Sequence, residues 1–448
     1  MPKALLIHAT DPDCNCAEQP PTPFPVLGIT TLAALFPKQW QLELVDENFT
    51  PADTNKDADL VLISTLTLNA PHAYELAAAF RRRNIPVLMG GMHPSACPDE
   101  AIKQCDALVI GEAENILARV LADFETGCMA GIYRGDTVDL ATVPSPRLDY
   151  LPANHFKTLG PVQATRGCPF DCDFCSVTTF FGHKYRLRPI EAVVADVKAV
   201  LKRTRSNIIF FVDDNIAGNA DYAKKLFKAL IPLKIRWGSF ASITMSNDRE
   251  LMQLAEESGC VQLFIGFESI QQQNLDNSHK KWVQVDRMKD HIKIFHDHGV
   301  IIEGSFVFGH DQERKDIFAR TADFIQEHGI QVPVFGVLTP YPATRLRQRL
   351  EEADRLLPAA ANWRLYDATH VLFKPMHMSP EELEEGLLWI KKFCGSPSSI
   401  IKRVMRGPRK NSLMALGINF AMFAGRMRQV NERWPKKVNG PLVRPADW

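Results

Sequence analysis

No stretch of this chain stays apolar for the roughly 18 residues that a membrane-spanning helix requires, and its charges leave no surplus of either sign. Lysine plus arginine equals aspartate plus glutamate at 52 each. A balanced chain has no global field with which to gather nucleic acid or an anionic membrane, so any electrostatic argument is local and no nucleic-acid partner is expected. The opening "MPKALLIHAT" lacks the basic start, apolar run and small-residue cleavage site of an export signal. The expected location is the cytoplasm. In that reducing compartment the ten cysteines are poor evidence for a disulfide framework, and a tight cluster of them points to metal binding or catalysis. Short internal repeats and low-complexity tracts are also missing.

What is present is alternation. At 448 residues the chain has room for two or three domains. Within residues 1–130 the runs "ALLIH", "LELVD", "LVLIS", "PVLMG" and "ALVIG" suit strands buried on both faces, and "APHAYELAAAFRRR" and "ENILARVLADFE" have helical spacing. That pattern predicts an α/β, doubly wound, Rossmann-like parallel sheet. Ligands of such sheets collect at the carboxyl ends of the strands, in the loops 64–71, 90–95 and 111–115. The candidates there are Ser64, Thr65, Thr67, Asn69, Gly90, Gly91, His93, Gly111 and Glu112. Gly90 and Gly91 let a backbone approach a ligand closely, or simply turn the chain. Residues 131–160, with Pro144, Pro146 and Pro152, read as a linker. From 161 to 355 six strand candidates ("VQAT", "IIFFVD", "IRWGSFAS", "VQLFIGF", "VIIEGSFVF" and "VPVFGVL") alternate with helices near 190–203, 220–231, 248–258, 284–298, 313–328 and 344–355. Six such units predict an open, partial (β/α)6 TIM-like barrel. Residues 356–448 form a mainly helical C-terminal segment.

Directly after the first barrel strand stands "TRGCPFDCDFCSV", with Cys168, Cys172 and Cys175. The loop after a barrel strand's carboxyl end is where chemistry belongs. A cubane iron–sulfur cluster used for electron transfer takes four cysteines; three leave one iron open to a ligand. The alternative is a zinc site completed by His155, His183, Cys260 or Cys394. The Cys-x3-Cys-x2-Cys spacing at this junction resembles the signature of the radical S-adenosylmethionine (radical SAM) superfamily. The resemblance implies a [4Fe-4S] cluster whose open iron chelates SAM and whose electron cleaves it to a 5′-deoxyadenosyl radical. It places Phe174 near the adenine, and Asp213, Asp214 and Asn215 of "FVDDN" at the SAM amino group. Glu268 and Ser269 of "GFES" then face the ribose and methionine portion, Gly309 of "FVFGH" the adenine pocket, and Ser242 joins them from strand three. Carboxylates suit these places because they accept bonds from an ammonium or from ribose hydroxyls, although Asp-Asp-Asn alone is also a common helix cap or turn.

With that motif in hand, the N-terminal half resembles the cobalamin-binding domain of the B12-dependent branch of the superfamily, through "DADLVLISTLTLNAPHAYELAAAFRRRNIPVLMGGMHPS…DALVIGEAEN" and "FPVLGITTLAALFP". The candidates in loops 64–71, 90–95 and 111–115 become cobalamin contacts. "NWRLYDATHVLFKPMHMSPEELEEGLLWI" resembles the accessory domain of a subgroup that includes lipid and hopanoid methylases. The Asp-x-His-x-x-Gly pattern that supplies a lower axial histidine in many cobalamin proteins is absent, so that ligand stays unassigned; His93 is the one candidate. Cys14 and Cys16 in "DPDCNCAEQPP" read as incidental thiols of a proline-rich loop.

In the methylating members of this branch, one SAM methylates reduced cobalamin and a second yields the radical that removes hydrogen from an unactivated carbon, which then takes methyl from cobalt. The protein's task is placement, and no side chain is assigned as nucleophile or general base. The resemblance implies C-methylation of a small or lipid-like substrate with a reductant such as flavodoxin or ferredoxin. Cyclisation or rearrangement without net methyl transfer is the alternative. A transfer-RNA methylthiotransferase would need a second cluster in the N-terminal domain, and Cys97, Cys105 and Cys128 lack its motif context. A corrinoid or redox sensor is the non-enzymatic alternative. From 400 onward basic residues flank an apolar stretch, which suits packing against the barrel or peripheral contact with a membrane. The substrate pocket is expected to be assembled from loops and the C-terminal segment.

Overall fold

A computed structural model of the chain describes residues 1–12, 25–156, 159–204 and 206–433, with side chains of the last helix as far as 422. Cys14, Cys16 and the final residues of the tail lie outside them. Two parallel six-stranded sheets make up its α/β frame. The first contains β1 (Lys3–His8), β2 (Gln41–Asp46), β3 (Leu60–Ser64), β4 (Val87–Gly90), β5 (Ala107–Ile110) and β6 (Gly131–Arg134), in the order β2-β1-β3-β4-β5-β6. Its apolar runs follow from burial on both faces. Ala4, Leu6, Leu60, Leu62 and Leu88 pack into one core, while Leu5, Ile7, Val61, Ile63, Val87 and Met89 pack into another on the opposite face. That is the period-two alternation of a strand covered above and below.

The expected linker is more structured than its prolines suggested. Residues 131–134 are β6, which pairs in parallel with β5. Farther on, Leu148, Leu151 and Phe156 are buried in the core that runs from the first sheet into the second. Proline forbids regular structure here but does not prevent apolar side chains between the prolines from plugging a gap.

The second sheet starts with β7 (Gly160–Val162). A two-stranded antiparallel ribbon, β8 (Thr165–Arg166) and β9 (Arg186–Leu187), stands beside it and was not anticipated. The sheet continues through β10 (Ile208–Phe211), β11 (Arg236–Ala241), β12 (Cys260–Glu268), β13 (Ile301–Phe308) and β14 (Val332–Val337). Its order, β14-β13-β12-β11-β10-β7, steps one strand at a time and leaves β7 and β14 unpaired with each other. This is the open (β/α)6 arrangement, with intervening helices at Ile190–Leu201, Ala220–Leu230, Arg249–Glu257, Met288–Asp297, Ile317–His328 and Arg345–Glu352.

The C-terminal segment divides in two. Residues 339–373 cross to the first sheet, where Arg364 pairs with buried Asp11 at 2.7 Å and Trp363 donates to Glu100 at 3.0 Å. The helices Pro380–Gly395, Pro397–Arg406 and Ser412–Arg433 follow a Ser379/Glu382 capping box. Ile400, Val404 and Ala415 of the last two pack on Ile301 and Val332, the first residues of β13 and β14. These two helices therefore cap the amino end of the sheet, away from the carboxyl edge. Among the described residues of the C-terminal segment, the crossing stretch and Leu383 of the helix Pro380–Gly395 reach the carboxyl side, where Phe373 and Leu383 both lie against Gly309. Among the described residues, no helix is long and apolar enough to cross a membrane.

Candidate active site

The loop Gly167–Cys175 has no regular structure, and its shape is imposed by the carboxyl end of β10. Asp213 is fully buried and accepts from the backbone amides of Ala164 and Thr165. Asp214 accepts from the Gly167 amide at 2.9 Å. Gly167 has φ +86°, and a Cβ there would meet the Lys184 carbonyl oxygen at 2.4 Å, so only glycine makes this turn. Asn215 accepts from the Ser242 amide at 3.3 Å, and its own carbonyl is held by the Tyr185 hydroxyl at 2.7 Å. Ser242 in turn caps the short helix Ile243–Asn247. The outer side of the loop is fastened by Asp171 to Arg345 and by Phe170, which stacks on Trp282 at 4.0 Å.

Cys168, Cys172 and Cys175 are unbridged and partly buried. Burial pushes all three thiols up, Cys172 to about 12, and Cys172 would feel the charge of the other two once ionised. Three crowded thiolates hold together only around cations, since metal binding and deprotonation are coupled. A mononuclear zinc site needs its ligands to converge on one point. Among the described residues no three His, Cys, Asp or Glu side chains do so. Of the other candidates, Cys260 and Cys394 are buried, His155 stacks on Phe49 at 3.9 Å, and His183 lies 3.4 Å from Asp171 of the loop. In a cubane each cysteine binds a separate iron, so three thiols on one loop supply three of its four ligand positions.

Around this loop the other candidate residues take the following positions. Asp213 has no exposed surface and pins the loop from beneath; burial raises its carboxyl to about 7. Glu268 ends β12 at φ +61°, and Lys280 donates to it at 2.6 Å. Burial disfavours the Lys280 ammonium, but Glu268 and the nearby Cys172 and Cys175 leave its pKa net raised. Phe174 is half-buried against the main core. Ser269 and Gly309 meet at one residue that sequence reasoning missed. Glu313 accepts from the amides of Gly309 at 2.8 Å and His310 at 3.2 Å, and from the Ser269 hydroxyl at 3.3 Å. Phe373 of the crossing segment backs Gly309, where a Cβ would meet its ring at 2.8 Å.

At the carboxyl edge of the first sheet, Thr67 and Gly111 line a cavity of about 110 Å3 together with Ser95 and Ala96. Thr179 and Phe180, on the helix that starts directly after Cys175, form the facing wall with Tyr341. Ser95, also missed from sequence, donates to the Gly91 carbonyl at 2.7 Å and accepts from the Gly111 amide at 3.0 Å. Gly91 (φ +108°) lies so close to Thr65 that a Cβ would meet its carbonyl oxygen at 2.6 Å. Gly90 and Ser64 end β4 and β3 as paired neighbours in the sheet. Three further candidates have partners within the protein. Asn69 accepts from the Asp11 amide at 3.1 Å. Glu112 is buried in ion pairs with Arg166 and Arg186. His93 has no exposed surface; its Nε2 lies 3.1 Å from the Tyr74 hydroxyl and its ring meets Trp363 edge-on. The cavity lining contains no histidine at all.

Two family models match the chain: the B12 binding domain over residues 17–121 and the Radical SAM superfamily over 162–325. Bacteriochlorophyllide d C-12(1)-methyltransferase of Chlorobaculum tepidum is 30% identical over 392 residues, which cover 85% of each chain. The chain belongs to the cobalamin-dependent radical SAM enzymes. Bacteriochlorophyllide d C-8(2)-methyltransferase of the same organism is 29% identical over 417 residues, covering 88% of this chain and 90% of that protein. In fold, the chain resembles the cobalamin-dependent SAM radical enzyme OxsB (TM-score 0.71, 14% identity, covering 96% of this chain and 75% of that one).

Membership brings three cofactors: a [4Fe-4S] cluster, SAM and cobalamin. The donor chemistry fits them. Three thiols stand on a loop held from below, and glycines and small side chains line the sheet edge that faces it. The cavity is smaller than the ~300–1,000 Å3 of ordinary cofactor pockets.

Burial raises the Glu313 carboxyl from 4.5 to about 8. Its folded pKa exceeds the unfolded one, so the folded state binds the extra proton and stability falls as pH rises through that window. Urea denaturation should show Glu313→Gln gaining stability relative to the wild type between pH ~5 and ~8; a difference that is flat with pH would contradict this.

Proposed function

We propose that the chain methylates an unactivated carbon of a small molecule, with residues 1–130 holding cobalamin, 161–355 the cluster and SAM, and the cleft between them the substrate. Cys168, Cys172 and Cys175 are the cluster ligands in this reading. Asn215, Ser242, Ser269 and Gly309 lie around SAM with Asp214, and Phe174 flanks the adenine. Glu268 reaches SAM only in concert with Lys280. Thr67, Gly90, Gly91 and Gly111 present backbone and small side chains to the corrin, with Ser64 and Thr65 supporting them from β3. The bound cofactors supply radical generation from SAM and a transferable methyl group.

The chain's own part is positional. Asp213 and Asp214 fix the cysteine loop, Glu313 joins the two loops that flank SAM, and the aromatic pair Phe170 and Trp282 covers the loop against water. The observation that carries the reading is that the carboxyl edges of the two sheets meet across one cavity, with the post-cysteine helix as a wall of it. Such an arrangement lets substrate carbon lie between two cofactors, which a hydrogen abstraction followed by methyl capture requires.

A low-potential one-electron donor of the flavodoxin or ferredoxin type completes the system. Both curated relatives above carry bacteriochlorophyllide d in their names, which makes it the first substrate to try. Protein reconstituted without oxygen with iron, sulfide and cobalamin, then given SAM, reductant and that substrate, should yield a product heavier by one methylene. S-adenosylhomocysteine and 5′-deoxyadenosine should form in step with it, and Cys172→Ala should form neither 5′-deoxyadenosine nor methylated product. 5′-Deoxyadenosine together with a product of unchanged or lower mass would establish cyclisation or rearrangement instead.

The C-terminal helices carry a second, peripheral role in the same reading. Between residues 386 and 431 the sequence contains no acidic residue, and Ile401, Met405, Leu413 and Phe420 are exposed there. An anionic lipid surface complements such a segment. The protein should sediment with phosphatidylglycerol vesicles but not with phosphatidylcholine ones, and Met405→Asp with Leu413→Asp should abolish it; equal recovery with both lipids would refute the contact.

A further inference from the structure

Glu112 and Glu114 sit in the loop that follows β5, one and three residues beyond Gly111 of the cavity. Both reach across to the barrel. Arg166, the last residue of β8 and two positions before Cys168, pairs with Glu112 and with Glu114, the latter at 2.8 Å. Arg186, its register partner on β9, donates to the other oxygen of Glu112 at 2.6 Å and to the Val138 carbonyl at 2.9 Å. Glu112 also accepts from the Val138 amide at 3.2 Å. Glu112 and Arg166 are each 7% exposed, so this is a buried network and not a surface decoration.

The same two arginines grip the cysteine loop at both ends. At its start, Arg166 is continuous with Gly167, whose amide is held by Asp214, and both arginines lie close enough to influence that carboxylate. At its far end, the guanidinium carbons of Arg166 and Arg186 stand 5.8 and 5.7 Å from the ring of Phe181. Phe181 closes the helix Ser176–Phe181 that begins directly after Cys175. The network therefore joins one wall of the cavity, at Gly111, to the segment carrying all three cysteines and to the opposite wall. Buried ion pairs contribute little net stability for their desolvation cost, and what such a pair enforces well is relative position.

The geometry points to Glu112, Glu114, Arg166 and Arg186 as positioning residues that couple the cobalamin loop to the cluster loop, so that filling either site raises affinity for the other cofactor. This rests on the assignment of the two sites above. By linkage the effect is reciprocal: the factor by which the cluster tightens cobalamin equals the factor by which cobalamin tightens the cluster.

The test is a cobalamin titration, followed by absorbance, of cluster-free and cluster-loaded protein under nitrogen. The ratio of the two dissociation constants should be roughly 5- to 150-fold, the range of ordinary allosteric coupling, and should fall towards one in Glu112→Gln while both cofactors still bind. Glu114→Gln, whose ion pair is with Arg166, should retain part of the coupling and covers the case in which Glu112→Gln does not fold, as judged by circular dichroism. Arg186→Lys, keeping the charge but losing the Nη1 that serves both Glu112 and the Val138 carbonyl, should lie between these and the wild type. A wild-type ratio of one, or full coupling in a folded Glu114→Gln and Glu112→Gln, overturns the inference. Failure of the wild type to bind cobalamin or a cluster at all overturns the site assignment instead.

Discussion

A loop without secondary structure can hold a reactive cluster only if something else fixes its path, and here that is a buried carboxylate. Asp213 spends its hydrogen-bonding capacity on the amides of Ala164 and Thr165, immediately before the cysteines begin. Burying a carboxyl is costly unless backbone donors meet it, which ties the ends of β7 and β10 to one geometry. Asp214 and Asn215 extend the same grip to Gly167 and Ser242. Three consecutive polar residues at the end of one strand thus serve as the mould in which the thiols are cast.

The second constraint is that two sheets must present the same edge to one cleft. The shared core from Leu6 through Phe156 to the barrel and the crossing segment, through Arg364 and Trp363, hold them in this relation. The basic helices at the chain's end then have no part in the cleft. They cover the amino ends of β13 and β14, where packing and not chemistry is the physical demand.

Much of this was legible because period and spacing are local properties. Strands covered on both faces write unbroken apolar runs, as "ALLIH" and "LVLIS" do, and the cysteines announce themselves within eight positions. Long-range partnerships leave no such trace. Nothing near Glu112 in sequence indicates that Arg166 and Arg186 will neutralise it, so it read as a free ligand of the first sheet. His93 likewise looked available until the fold buried it beside Tyr74 and Trp363. Glu313 was passed over as a residue of a helix start, although its position four residues after Gly309 is the spacing at which a side chain returns to cap the preceding loop. β6 hid in a stretch whose prolines were read as its whole character.

The account's central claim is that an iron of a three-cysteine cluster is left for SAM. Its most direct measurement is electron–nuclear double resonance on the reduced, cobalamin-free protein with SAM labelled at the amino nitrogen and carboxylate oxygen. Strong hyperfine coupling to both labels, lost in Cys172→Ala, is the predicted result. A cluster spectrum indifferent to labelled SAM, or metal analysis that finds only zinc, would contradict it.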